Sequence, residues 1–288
     1  MLTITKLPRF INKIKIPSRI SSALLHNLDT DNKKYNKHYS EHRLYSITKE
    51  KNTNSIIHSN SLDIDVGLQD YMKKVSRTTG TFIGITALSG AATVAITPML
   101  VNYPMILATG YISAVAGTIY TAYKFDSSKT DDEKMKKALA LHIGMGVMIS
   151  PSLFVFSQFI PHALVTTSAC VMGPIAASFY LPKGKLLKYG PVLYTGLFGL
   201  IGVGFLGISA NLLGFSNVGA ALHSIDLYGG IALFMAYNAY DTHVMIKEYE
   251  DGKLDHINHA ANYSLNSINI FIRLLEVFSK VSNPSSSK

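Results

Sequence analysis

The stretch LYGGIALFMAYNAYDTHVMI, residues 227–246, carries one formal charge along its whole length, at Asp241. A helix needs about 20 mostly apolar residues to cross the roughly 30 Å hydrocarbon core of a bilayer, so this segment reads as a membrane helix. The acid near its end, with Tyr237, Asn238 and Tyr240 beside it, needs a reason. An ionised carboxylate at mid-bilayer costs about 2.5–3.5 kcal/mol on insertion scales, and less near an interface. Asp241 therefore marks either the point where the helix meets water or a working site.

Working outward, stretches of the same kind occupy about 80–101, 104–123, 138–160, 162–181 and 190–213, and the quoted segment extends to 222–246. A further one, 260–279 (AANYSLNSINIFIRLLEVFS), is long enough but partly polar. The loops give an independent check. Lys73, Lys74 and Arg77 precede the first span; KFDSSKTDDEKMKK follows the second, PKGKLLKYG the fourth, and Lys247 and Lys253 the sixth. The connections after the first, third and fifth spans hold no Lys or Arg. This alternation is what the positive-inside rule demands, and a wrong span count would scramble it. The expected fold is all-α and polytopic.

Within the bundle, Gly196, Gly199, Gly202, Gly204 and Gly207 of the fifth span are expected to allow close helix approach. Pro151 and Pro174 are expected to bend the third and fourth spans. The chain has no Trp, so Tyr103, Tyr120, Tyr123, Tyr180 and Tyr240 near span ends would supply any interfacial aromatic belt.

The net charge of +9 over 288 residues is concentrated in the amino-terminal region and the short loops. No basic patch with interleaved aromatics accompanies it, so membrane lipid rather than nucleic acid is the expected partner. The single cysteine, Cys170, excludes a disulfide framework and a thiolate metal cage within one chain. Residues 1–28 carry Lys6, Arg9, Lys13, Lys15 and Arg19, no acid, and two short amphipathic pieces divided by Pro17. That composition suits a mitochondrial transit peptide, with a basic tail on a protein of the endoplasmic reticulum or Golgi membrane as the alternative. Residues 29–79 are polar and aperiodic and are expected to form a linker; 281–288 form a tail.

The polar residues of the membrane region supply the candidate sites. Asn262, Asn266, Asn269, Arg273 and Glu276 are spaced 4, 3, 4 and 3, one stripe on a helix. Such a stripe must face protein or water. The connection from the sixth span is short, so Asp241 is expected to meet Asn266 or Asn269. Asp226 and Asp241 are separated by roughly 22 Å of helix and cannot share a site. Asp226, near an expected helix start, suits a dipole partner at the interface. Asp226, Arg273, Glu276 and His142 are secondary candidates. His256 and His259 are placed in a loop, where they could respond to pH. Asp241 is the only residue offered as a metal ligand, for transient calcium; no resident cofactor is expected.

Taken together, YGG…YDTH in the sixth span, LNSINIFIRLLEVF in the seventh, GITALSGAATVAITPMLVN in the first and LHIGMGVMISP in the third resemble the Bax inhibitor-1 (lifeguard) family, in particular its growth-hormone-inducible branch in the mitochondrial inner membrane. The resemblance covers about residues 78–280. It implies a seven-helix bundle around a central last helix and a pH-sensitive calcium pathway, with consequences for apoptosis and mitochondrial morphology. It also implies a pair of aspartates, one on each of the last two helices, that share a proton. The first matches Asp241; the second falls on Asn266. An Asp–Asn pair has one titrating group, so a shared-proton gate cannot operate there. This departure gives weight to a different reading, a scaffold that organises inner-membrane or cristae complexes. An enzyme is not expected: Tyr240–Asp241 resembles half of an intramembrane aspartyl protease, but the GxGD half is missing, and GxSxG, HExxH and P-loop motifs are absent.

Overall fold

The computed structural model describes residues 66–282, apart from 101, 126 and 129. Seven long helices account for the membrane region: α1 (Val66–Leu100), α2 (Pro104–Phe125), α3 (Asp131–Val155), α4 (Ile160–Ser178), α5 (Gly190–Leu212), α6 (Ser216–Glu250) and α7 (His256–Ser282). Six of them, α1 to α6, are long and apolar enough to cross a membrane. The fold is an all-α polytopic bundle, as the hydropathy pattern requires.

The first helix begins well before residue 80. Leu68, Tyr71, Val75 and Phe82 are buried at helical spacing, so residues 66–79 of the expected linker are the exposed-and-buried first turns of α1. At 35 residues, α1 is about 50 Å long and extends beyond a hydrocarbon core of roughly 30 Å. The transit-peptide segment and the tail from 283 onward lie outside the described residues.

Local sequence sets the helix ends. The Thr130 hydroxyl accepts from the Glu133 amide at the start of α3, with Asp131, Asp132 and Glu133 in the first turn favouring the positive helix end. Gly252 closes α6 with φ of 79°, and the Lys253 amide reaches back to the Glu248 carbonyl at 2.7 Å. Asp255 then caps α7 by accepting from the Asn258 amide at 3.0 Å. His256 and His259 are accordingly buried residues of the first turn of α7, not members of a solvated loop.

The last helix is the centre of the bundle. It packs against α1, α3, α4 and α6, while α2 leans on α3 and α5 on α6 at the periphery. Met105, Ile112 and Ile119 of α2, and Val192, Phe198 and Phe205 of α5, point outward. Serines and threonines on these outer helices bond to carbonyls a turn earlier, as Thr109 does to Met105 and Thr195 to Pro191, so their hydroxyls are satisfied in an apolar setting.

Close approach in the fifth span is confined to two of its five glycines. Gly199, Gly202 and Gly204 face open space; only Gly196 and Gly207 of that set lie against α6. The tight contact is between α1 and α3, where a Cβ on Gly90 would sit 3.1 Å from the Gly146 carbonyl oxygen. The prolines lie near the ends of their helices. Pro151 is in the last turns of α3 and Pro174 in those of α4, so neither interrupts a mid-span ladder. Tyr103, Tyr120, Tyr123 and Tyr180 are exposed near helix ends as an aromatic belt requires, whereas Tyr240 is half-buried against Gly190.

Candidate functional site

Antiparallel pairing of α6 and α7 builds the site. His259 meets Glu248, Tyr263 meets Thr242, Asn266 meets Asp241, Arg273 meets Asp226 and Glu276 meets His223. The rising number on one helix matches the falling number on the other throughout. The seventh segment therefore runs the full length of α6 and does not double back.

Asp241 is half-buried, and one of its carboxylate oxygens accepts from the Asn266 Nδ2 at 2.8 Å. Asn266 itself is buried. Of the two amides that could have met Asp241, only Asn266 does. Asn269 lies a turn further on, donates to the Leu265 carbonyl at 2.9 Å and accepts from the Arg273 guanidinium at 3.2 Å.

Arg273 is held from several sides. It pairs with Asp226 at 3.2 Å and lies over the Phe234 ring, 5.3 Å from its centroid. Gly230 leaves the space it needs, since a Cβ there would meet Cδ of Arg273 at 2.7 Å. Asp226 is thus not a dipole partner at a helix start: α6 begins at Ser216, and Asp226 is a mid-helix counter-ion. The reason lies in SNVGAA, residues 216–221, which falls outside the expected span yet is helical. Beyond Arg273, Glu276 lies between His223 and Lys280, with Lys280 at 3.0 Å.

Toward the other end, the Tyr263 hydroxyl donates to Thr242 Oγ1 at 2.9 Å, and Thr242 donates to the Asn238 carbonyl at 2.8 Å. His142 is fully buried inside α3, stacked on Phe82 at 4.5 Å. Its Nδ1 faces the Ala138 carbonyl at 2.7 Å and so carries the hydrogen, leaving Nε2 to Ser264 at 2.6 Å. It is a bridge between α3 and α7. His259 packs edge-on to Tyr71 and lies 3.3 Å from Glu248. Lys134 of α3 pairs with Asp255, and Lys183 with Glu250. The basic connections therefore gather at one end of the bundle, as their alternation along the chain predicts.

On α7 the residues His259, Tyr263, Asn266, Asn269, Arg273, Glu276 and Lys280 fall at spacings of three and four, one stripe about 32 Å long. That is close to the roughly 30 Å of the hydrocarbon core. A row of polar groups thus runs the depth of the bundle, with Asp241 its single acid in the middle stretch. Sequence reasoning found Asn266 to Glu276 but began the stripe at Asn262, which is half-buried beside it. It missed Tyr263, Thr242, Ser264 and Glu248, whose partners come from other helices. Among the described residues, no group of three or more His, Cys, Asp or Glu is placed to hold a metal ion. The side-chain partner of the Asp241 carboxylate is the neutral Asn266 amide.

The profile of the family described as Inhibitor of apoptosis-promoting Bax1 matches residues 68–283, which is most of the chain. The chain belongs to the Bax inhibitor-1 family. It is 32% identical over 211 residues to the growth hormone-inducible transmembrane protein of Rattus norvegicus, covering 70% of this chain and 60% of that protein's length. It is also similar to proteins named Bax inhibitor 1, at 23% identity over 176 residues in Oryza sativa subsp. japonica (61% of this chain, 68% of that one). In Arabidopsis thaliana the figures are 24% over 136 residues, 47% of this chain and 53% of the relative. No solved structure gives a significant match.

Proposed function

We propose that this Bax inhibitor-1 family membrane protein provides a pH-dependent calcium pathway, a leak or a calcium/proton exchange, across the mitochondrial inner membrane, with calcium as the transported species. The observation that carries the reading is the contact of Asp241 with Asn266 in the middle of a polar row that runs the depth of the bundle. Buried polar groups are costly in a membrane protein, and a row of them is the usual mark of an ion path. Asp241 is the titratable ligand and Asn266 its fixed neutral partner; Asn269, Arg273, Asp226, Glu276 and His142 order the row. The function is not enzymatic. Effects on cell death and mitochondrial morphology follow from altered matrix calcium.

The mitochondrial placement rests on the amino-terminal composition and on the likeness to the growth hormone-inducible transmembrane protein. The basic end of the bundle then faces the matrix, and the end of α7 faces away from it. Protease protection of a carboxyl-terminal tag in isolated mitochondria tests both statements at once.

One observation favours a second reading. Asn266 cannot ionise, so two carboxylates never share a proton at this pair. A non-transporting scaffold that organises inner-membrane or cristae complexes needs no titrating pair. The two readings separate in one preparation. Calcium flux in proteoliposomes that falls with Asp241→Ala supports the pathway. Absence of flux, with inner-membrane protein partners still recovered on the tagged chain, supports the scaffold.

A further inference from the structure

Away from the α6–α7 row, a cleft of ≈ 520 Å³ opens between α2 and α3 where their basic connection leaves the bundle. Tyr120 and Lys124 of α2 and Lys136, Lys137 and Ala140 of α3 line it. The two helices form an antiparallel hairpin, so Lys124 and Lys136 share the mouth, and Tyr120 and Ala140 lie one turn deeper. Lys137 is already occupied: its Nζ pairs with Glu133 at 2.7 Å and donates to the Lys124 carbonyl at 2.8 Å. Ser127 donates to that same carbonyl and Ser128 to the Phe125 carbonyl, which covers the negative end of α2. Lys124, lying over the Tyr123 ring, and Lys136 remain; both are exposed, and among the described residues neither is paired with an acid. Below the lysines the same flank turns apolar. Nothing lies within 4 Å of where a Cβ on Gly117 would sit, and Ile143, one turn beyond Ala140, is exposed. On the inner side Gly144 lets α3 close on Thr118, which gives the groove a floor. From Lys124 to Gly117 is about 10 Å along α2.

We propose that this cleft binds one anionic glycerophospholipid of the leaflet at the basic end, with its phosphate on Lys124 and Lys136 and an acyl chain laid over Ala140, Gly117 and Ile143. Positive charge at the mouth and an apolar groove leading into the hydrocarbon are the two halves of a phospholipid. A soluble phosphate would use only the first half. Basic clefts between membrane helices on the positive side are suited to such headgroups. A zwitterionic lipid carries an ammonium of its own, which the two lysines repel, so the site selects a net negative headgroup. The cleft shares no residue with the α6–α7 row, and the proposal stands apart from the calcium pathway.

The test is native mass spectrometry of the purified full-length chain in detergent, titrated with phosphatidylglycerol, phosphatidylcholine and inorganic phosphate. The wild type is expected to hold one phosphatidylglycerol and to prefer it clearly over phosphatidylcholine. A lysine near an anionic surface contributes about fivefold in affinity, so Lys124→Gln with Lys136→Gln in one chain should weaken binding about 25-fold. Ala140→Phe fills the groove without changing charge and should also weaken binding, by about tenfold; Ala140→Leu takes its place if the larger ring prevents folding. Lys253→Gln removes an exposed lysine of the α6–α7 connection and should leave affinity close to wild type. An equal loss from Lys253→Gln and from the double-lysine variant would mean diffuse surface charge and would overturn the site. Displacement of the lipid by inorganic phosphate, or undiminished affinity in the Ala140 variant, would overturn the lipid assignment. Wild-type affinity in the double-lysine variant, or no preference for phosphatidylglycerol in the wild type, would overturn the proposal as a whole.

Discussion

Gly146→Ala is a sharp test of the packing that positions the buried polar row. Gly146 sits where α3 crosses α1, and a Cβ at that position would press on the Thr86 carbonyl oxygen and the Ser89 hydroxyl and lie 2.9 Å from the Gly90 backbone nitrogen. Two of those three obstacles are backbone, so no rotamer change relieves them. Overpacking of this kind costs about 1–3 kcal/mol. A helical Gly→Ala change alone contributes the other way, by about 0.5–1 kcal/mol. Gly202 on α5 isolates that second contribution, because a Cβ there meets nothing within 4 Å. The expected difference between Gly146→Ala and Gly202→Ala is therefore about 1–3 kcal/mol. For a domain of this size each kcal/mol moves the melting temperature by roughly 2–4 °C. Thermal melts by circular dichroism in nanodiscs should place Gly146→Ala several degrees below Gly202→Ala. Equal melting temperatures for the two variants would refute the close α1–α3 crossing.

Other consequences concern the row itself. Asn266→Asp would set two carboxylates in contact, which resist double ionisation, so calcium flux should gain a two-proton pH dependence in place of a one-proton curve; an unchanged pH profile contradicts the contact. Arg273→Leu leaves Asp226 without its guanidinium and should destabilise the bundle by about 1–3 kcal/mol in thermal melts, with Asp226→Asn in the same chain restoring part of the loss. His142→Phe retains a ring on Phe82 but strips Ser264 of its nitrogen partner, which should cost about 1–2 kcal/mol by the same measurement.

Much of this was legible in the sequence because a bilayer is an exacting solvent. The span count followed from apolar runs and from the alternation of basic loops, and the structure gathers Lys134, Lys183 and the α6–α7 connection at one end as that alternation demands. The meeting of Asp241 with Asn266 followed from a stripe of amides and a short connection. What escaped depended on partners far apart in the chain. The start of α1 was hidden because its first turns are polar on one face and only Leu68, Tyr71 and Val75 are buried. Asp226 was misplaced because α6 starts at Ser216, six residues before the expected span at 222. The glycines of α5 looked like a crossing, but three of the five face outward; glycine spacing alone does not say which face meets a neighbour. His142 gave no signal of its burial, since its Ser264 and Phe82 partners lie on other helices.

The measurement closest to the central claim is calcium uptake into proteoliposomes of the full-length chain between pH 6 and pH 8, comparing wild type with Asp241→Asn and Asp241→Glu. The account predicts uptake that changes with pH in the wild type, persists in Asp241→Glu and is lost, together with its pH dependence, in Asp241→Asn. Uptake of wild-type size and pH profile in Asp241→Asn would contradict it.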